Sequence, residues 1–210
     1  MPPIVILCTP RHKNDALTEF FIRLADGIDG TVSTNIVRPV IDTATKYSEL
    51  AASLNLPEDA ILIFVGHGDK DALLGPPKAG SSDMSVFYNA DLFHLGPQSL
   101  LAFCCSSAAK LGSEFKKRPS PRTFLGFSEK IHFVMARGQC TDCWKKILHA
   151  LASDVIASGK VTPMTRQVAE KQYLDAHNYF KHGKGKDNEW APLMAAFLVH
   201  QHRVLRVLSN

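Results

Sequence analysis

The 210-residue sequence lacks the features that would place a protein in a membrane or in an oxidising compartment. No window approaches the ~18 consecutive apolar residues that a membrane-spanning helix needs. The first residues, MPPIVILCTPRHK, have neither the basic start nor the long apolar stretch of a signal peptide. The cysteines number five, and an odd count argues against a complete disulfide framework. We therefore expect a cytoplasmic protein with free thiols and no membrane partner.

Long blocks of like charge, internal repeats and low-complexity linkers are absent as well. The net charge of +4 is small, and the densest basic clusters, 116–118 and 181–186, lie in surroundings rich in proline or glycine. This pattern gives no reason to expect a nucleic-acid partner. The length and the ordinary hydrophobic fraction of 45% predict one domain over residues 1–210.

What the sequence does contain is an alternation of short apolar runs with stretches of helical periodicity. Strands are predicted over residues 4–9, 31–38, 60–65, 100–104 and 123–127, the last resuming at 131–134. Helices are predicted over residues 16–28, 43–55, 108–117, 144–157, 164–180 and 190–208. The alternation predicts an α/β fold with a mostly parallel sheet and a helical C-terminal third. Residues 69–98, rich in Gly, Pro, Ser and Asp, are predicted to be a long loop with a short helical patch at 89–95.

Two of the predicted strands end in residues suited to catalysis. The run AILIFVGHG ends in His67 and Gly68, and the run SLLAFCCSSAAKLG has Cys104 and Cys105 where its apolar part stops. A right-handed crossover would make the two strands parallel neighbours, with their carboxyl ends side by side. Histidine can take the proton of a thiol near neutral pH, so the pair indicates nucleophilic catalysis. Taken singly, each motif also has a structural explanation, as a turn histidine or as buried packing cysteines.

Other candidate residues carry a weaker signal. Cys140 and Cys143 have the C-x-x-C spacing of redox and zinc sites, but no second pair follows them. We therefore expect no metal and no cofactor. His200 and His202 are predicted to face solvent on the last helix.

The order of the motifs resembles the caspase, gingipain and separase superfamily of cysteine peptidases, and within it the bacterial CHAT-type domains. FVGHGDKDALLG is similar to the His-Gly motif of that group, and FCCSSAAKLG to its Ala-Cys-x-Ser-Ala-x-x-Leu-Gly motif. TFLGFSEKI is similar to a later strand with the pattern hydrophobic-Gly-Phe-Ser. The resemblance covers roughly residues 1–160 and implies a three-layer caspase-like fold.

The resemblance also implies roles for individual residues. His67 would be the general acid/base and Cys105 the nucleophile, with the main-chain N–H groups of Gly68 and Cys105 as the oxyanion hole. Cys105 is preferred to Cys104 because it keeps the rest of the motif in register, and because adjacent strand residues point to opposite faces. Many relatives have an acidic residue two positions before the cysteine, where this chain has Phe103. The relatives' preference for an aspartate or a basic residue at the cleavage site therefore cannot be assigned to this chain.

The function that the resemblance implies is that of a cysteine endopeptidase acting on a protein substrate, as a regulated effector in bacterial defence or cell-death signalling. The chain shows no sensor domain, so regulation is expected to come from a partner protein. Asp69, Asp71, Asp83 and Phe103 are candidates for substrate binding, and solvated loop carboxylates are the simpler interpretation of the three acids. The alternative is a catalytically silent caspase-like module that binds a partner or serves as a scaffold.

Overall fold

A computed structural model describes residues 3–8, 16–28, 36–37, 60–74, 85–88, 99–117 and 122–209. The strands are β1 Ile4–Cys8, β2 Ile36–Val37, β3 Ile61–Val65, β4 His67–Asp69, β5 Ala72–Leu74, β6 Ser85–Tyr88, β7 Ser99–Phe103, β8 Thr123–Phe127 and β9 Leu205–Ser209. The helices are α1 Ala16–Ala25, α2 Leu111–Lys116, α3 Gln139–Ser158, α4 Pro163–Lys181 and α5 Ala191–Val204. The helix predicted at 43–55, the helical patch at 89–95 and most of the strand at 31–38 lie outside the described residues.

The central sheet has the strand order β2-β1-β3-β7-β8-β9. The first five strands run parallel, and β9 pairs antiparallel with β8. The prediction of an α/β fold with a mostly parallel sheet is therefore confirmed. β3 and β7 are neighbours whose last residues, Val65 and Phe103, are paired, so both strands end at the same edge. That edge is where a parallel sheet of this kind presents its functional groups.

Buried clusters lie on both faces of the sheet, which is compatible with a three-layer fold. Alternate residues such as Val65 and Phe103 pack into a cluster with α1 and α3, on what we call the α1 face. The residues between them, such as Phe64 and Ala102, pack into a second cluster with α2, on what we call the α2 face. Apolar side chains on successive residues are typical of a strand buried on both sides.

The helices begin and end where local sequence signals place them. α1 has Phe20, Phe21 and Leu24 on one buried face, at the spacing of a helix that packs on a sheet. α4 begins with a capping box between Thr162 and Thr165. α3 ends at Ser158, and Gly159, which caps it, adopts the left-handed conformation with φ of 72°. Among the described residues, no helix is long and apolar enough to cross a bilayer.

Three expectations about secondary structure are wrong. The last helix stops at Val204 instead of reaching 208, because Leu205–Ser209 pairs along the whole of β8 and supplies the edge strand next to it. Residues 131–134 form no strand, since the chain leaves β8 at Phe127 and turns over the end of β7. The supposed loop at 69–98 contains strands instead, and β4, β5 and β6 form an antiparallel sheet.

Candidate functional site

The two motifs singled out in the sequence meet at the carboxyl ends of β3 and β7. Gly66 N–H donates to the carbonyl of Phe103 at 3.3 Å, so the pairing of the strands continues past their last residues. A Cβ atom on Gly68 would lie 2.6 Å from Cys104 Sγ and 2.7 Å from the carbonyl oxygen of Cys105. The His67–Gly68 turn therefore rests directly on the Cys104–Cys105 turn, and only glycine fits between them.

The hairpin that carries His67 is also braced against the helix that follows Cys105. The carbonyl of Lys70, at the tip of the β4–β5 hairpin, accepts the N–H groups of Lys110 at 3.1 Å and of Leu111 at 2.6 Å. These are the cap and the first residue of α2, whose N–H groups have no acceptor within the helix. The ammonium of Lys110 lies 3.3 Å from the carboxylate of Asp71. The histidine hairpin and the cysteine turn thus form one connected unit.

The two adjacent cysteines lie on opposite faces of the sheet, as strand alternation predicts. Cys104 is fully buried in the cluster of the α2 face, and burial raises the pKa of its thiol far above the ordinary value. Cys105 packs against the cluster of the α1 face. The ring of His67 meets that same cluster, edge-on to Phe21 with 5.2 Å between centroids. His67 and Cys105 therefore share a face, and Cys104 is on the other.

The thiol of Cys105 is held by the main chain of one residue. It donates to the carbonyl of Ile131 at 3.6 Å and accepts from the N–H of Ile131 at 3.5 Å. Burial raises the pKa of Cys105 above its ordinary value, and the negative charge of Asp69 acts in the same direction. The hydrogen bond to Ile131 and the positive charge of Lys130 act in the opposite direction without cancelling the effect of burial. In this conformation the thiol of Cys105 is half-covered, and its raised pKa makes it harder to ionise than an exposed cysteine.

The turn after Cys105 is sharp. Ser106 has φ of 53°, a left-handed conformation that a residue with a side chain adopts at a cost of about 1 kcal/mol. It is held there because its N–H donates to the carbonyl of Glu129 at 2.9 Å, and the N–H of Ala108 donates to Phe127 at 2.8 Å. Backbone strain of this kind is common at functional sites.

The other motif residues serve packing. The hydroxyl of Ser107 is fully buried and lies 3.4 Å from the carbonyls of Ala102 and Cys104. A Cβ on Gly126 would come within 2.5 Å of the Ser107 hydroxyl, and a Cβ on Gly112 within 2.7 Å of the Phe124 ring. These residues bring α2 and β8 close to the cysteine turn.

The candidates for substrate binding have different surroundings. Asp69 is exposed, and it is near enough to Cys105 to affect its pKa. Asp71 is paired with Lys110, and Asp83 lies outside the described residues. Phe103 is completely buried and contacts Phe127 and Phe133, so in this conformation it has no access to a substrate.

The C-x-x-C pair lies in the first turn of α3, one turn earlier than the helix predicted at 144–157 begins. Cys140 is fully buried, and its thiol donates to the side-chain oxygen of Asn188 at 3.9 Å. Burial raises the pKa of Cys143 to about 12, which opposes a reactive thiolate. Cys143 also lines a cleft of about 350 Å³ between α3 and α4. No group of three His, Cys, Asp or Glu side chains within the described residues is arranged to hold a metal ion.

Sequence reasoning missed one residue of this region, Gln201 on α5. Its side chain is fully buried, donates to the carbonyl of His132 at 2.6 Å and accepts from the hydroxyl of Tyr173 at 3.1 Å. A glutamine in a helix ordinarily indicates an exposed position, so nothing in the sequence singles it out. His200, predicted to face solvent, is only partly exposed and donates through Nε2 to the carbonyl of Lys130 at 2.8 Å. His202 is exposed as predicted.

No protein-family model matches the chain, and a search of curated proteins finds no match either.

Proposed function

We propose that the chain is a caspase-like cysteine endopeptidase in which Cys105 is the nucleophile and His67 the general acid/base. The observation that carries this proposal is the contact between the His67–Gly68 turn and the Cys104–Cys105 turn, with His67 and Cys105 on one face. A base and a thiol at the ends of adjacent strands are the minimum that acyl transfer to sulfur requires. The resemblance of the motifs to caspase-like peptidases supports the same assignment.

The proposed reaction begins with transfer of the Cys105 proton to the imidazole of His67. The thiolate attacks the carbonyl carbon of the peptide bond, and the negative charge moves to the carbonyl oxygen, where the N–H groups of Gly68 and Cys105 would stabilise it. The C–N bond then breaks as His67 returns the proton to the leaving amine, which leaves a thioester on Cys105. Water, deprotonated by His67, hydrolyses the thioester and restores the thiol.

The proposed biological role is that of a regulated effector in bacterial defence or cell-death signalling, with a protein as substrate and a partner protein as activator. The raised pKa and the covered thiol of Cys105 are properties expected of a resting enzyme. The same observations favour the second candidate function, a silent binding module that retains the fold. Retention of both His67 and Cys105 argues for the enzyme, since a degenerate copy would be expected to lose one of them.

The experiment that tests the proposal compares the wild type with Cys105→Ala, Cys104→Ala and His67→Ala. The probe is a library of short peptides that end in an acyloxymethyl ketone, an electrophile captured by catalytic cysteines, together with the matching amide substrates. We expect labelling at Cys105 in the wild type, and a loss of turnover of at least about a thousandfold in Cys105→Ala. Cys104→Ala is the matched control and should retain turnover. Activity that survives Cys105→Ala contradicts the nucleophile assignment, and labelling without turnover of any amide favours the silent module.

A further inference from the structure

Residues 128–132 connect β8 to the segment that leads into α3, and they lie over the thiol of Cys105. We call this segment the strap. Its ends are fixed, because Phe127 belongs to β8 and the ring of Phe133 packs 5.4 Å from that of Trp144 in the core. Between these ends, the carbonyl of Ile131 accepts a hydrogen bond from the Cys105 thiol, and its N–H donates one to the Cys105 sulfur. Ile131 is itself only 6% exposed, so the strap closes that side of the thiol.

The opposite side of the strap is held by α5 through three backbone positions. The side-chain amide of Gln201 donates to the carbonyl of His132 at 2.6 Å. His200 donates to the carbonyl of Lys130 at 2.8 Å, and the N–H of Ser128 donates to the carbonyl of Val204 at 2.8 Å. Together these bonds join the last turns of α5 to the residues on either side of Ile131.

Gln201 differs from the other two anchors because it holds the strap through a polar side chain that is completely buried. Its oxygen accepts from the hydroxyl of Tyr173, a side chain of α4 that is 1% exposed. The two hydrogen bonds fix the orientation of the amide, with the NH₂ group toward the strap. A buried amide with both ends engaged is costly to disturb, because its former partners would lose their bonds without gaining water.

We infer that the strap holds Cys105 in a covered resting state, and that Gln201 is the positioning residue that keeps the strap closed. Release of the strap from α5 leaves the backbone of Ile131 held by its bonds to the sulfur and, through Glu129, by the N–H of Ser106, so this backbone moves away from the sulfur more often. The thiol then loses both of its present partners and becomes free to meet a substrate and its base. This inference concerns the regulation of the proposed active site, and so it rests on the proposed role of Cys105.

The test measures how fast iodoacetamide alkylates Cys105 in the full-length chain at pH 8, with the modified cysteines assigned by peptide mass spectrometry. Cys140, which is fully buried, serves in the same sample as the reporter of global unfolding. Gln201→Met removes both the bond to His132 and the bond from Tyr173, and it keeps the length of the side chain. Only the first of these bonds reaches the strap, so we expect the alkylation rate of Cys105 to rise about five- to tenfold, the factor that corresponds to that one bond, with no change at Cys140.

Tyr173→Phe is the matched control. It removes a buried hydrogen bond to the same glutamine but leaves the bond from Gln201 to His132 in place, so the Cys105 rate should stay within about twofold of the wild type. His200→Ala removes an anchor near the surface and should raise the rate about two- to fivefold. This variant tests the strap even where Gln201→Met fails to fold.

Two results would overturn the inference. One is an unchanged Cys105 rate in the folded variants of Gln201 and His200. The other is a parallel rise at Cys105 and Cys140, which would mean that the substitutions only loosen the whole molecule. The readout needs no peptidase activity, so the two proposals fail separately. If the variants raise the alkylation rate of Cys105 but no peptide is turned over, the strap is supported and the peptidase proposal fails. If peptides are turned over but the alkylation rate is unchanged, the peptidase proposal is supported and the strap fails.

Discussion

Replacement of Gly68 by alanine tests the contact on which the proposed site depends. The added Cβ would lie 2.6 Å from the sulfur of Cys104 and 2.7 Å from the carbonyl oxygen of Cys105. A further contact of 2.9 Å involves the Cβ of Cys104. Two of these three atoms are a backbone oxygen and a Cβ, which cannot move without a shift of the whole turn. The substitution therefore forces the histidine hairpin and the cysteine turn apart.

The expected magnitude follows from two opposing terms. Overpacking at a rigid position costs about 1–3 kcal/mol. Gly68 does not lie in the left-handed region, so alanine can adopt its backbone conformation and restricts the unfolded chain, which stabilises by about 0.4–1 kcal/mol. We expect a net destabilisation of about 1–2 kcal/mol. Without the contact only the second term would remain, and Gly68→Ala would be stabilising.

The sign of the effect is therefore the decisive measurement, made by urea denaturation of the wild type and the variant at equal protein concentration. Cys104→Ala combined with Gly68→Ala is the matched control, because it removes the sulfur contact and leaves the contacts with the Cys105 oxygen and the residual Cβ. Measured against Cys104→Ala alone, which has its own cost for the lost buried sulfur, Gly68→Ala should destabilise less than it does in the wild type, by a coupling of about 0.5–1 kcal/mol. A Gly68→Ala variant as stable as the wild type or more stable would refute the close approach of the two motifs.

Two further predictions concern charge and proton linkage. Burial is the main cause of the raised pKa of Cys105, and the negative charge of Asp69 adds to it. Asp69→Asn removes that charge, so it should lower the pKa and speed the alkylation of Cys105 at a fixed pH. Asp71→Asn, a matched change at a carboxylate already paired with Lys110, should have no such effect, and equal rates in the two variants would contradict the assignment. Burial raises the pKa of Cys143 from 9.0 to about 12, so its thiol ionises first in the unfolded chain. The stability it contributes is complete below pH 9 and is lost as the pH rises toward 12, by up to about 1.4 kcal/mol per pH unit. Urea denaturation at pH 8, 9 and 10 should show a shallower decline for Cys143→Ala, and parallel curves would contradict the raised pKa of Cys143.

The central part of the fold was predictable because its strands are buried on both faces. β3 is an unbroken apolar run and β7 is apolar after Ser99, and their pairing follows from the crossover rule. The opposite placement of Cys104 and Cys105 was also predictable, because successive side chains along a strand point to opposite faces of the sheet.

Where predictions failed, the determining interaction was distant in sequence. β9 pairs with β8 about eighty residues earlier, and its residues continue the apolar pattern of α5 without a glycine or proline between them. The strands β4 and β5 are three residues each, too short for a period to be visible. Gln201 was missed for a related reason, because its partners Tyr173 and His132 come from other segments. Local propensity carries no information about such contacts.

The structure also divides the motif residues into two groups, and this division limits what the family resemblance can support. Ser107, Gly112 and Gly126 are explained by close packing among the cysteine turn, α2 and β8. A protein with this fold needs them whether or not it performs any chemistry. His67 and Cys105 also contact the core of the α1 face, His67 through the ring of Phe21 and Cys105 through the main chain of Ile131, but both lie at its edge and are partly exposed. The case for an enzyme therefore rests on these two side chains, and a variant that replaces both by alanine should keep its fold and lose only its reactivity.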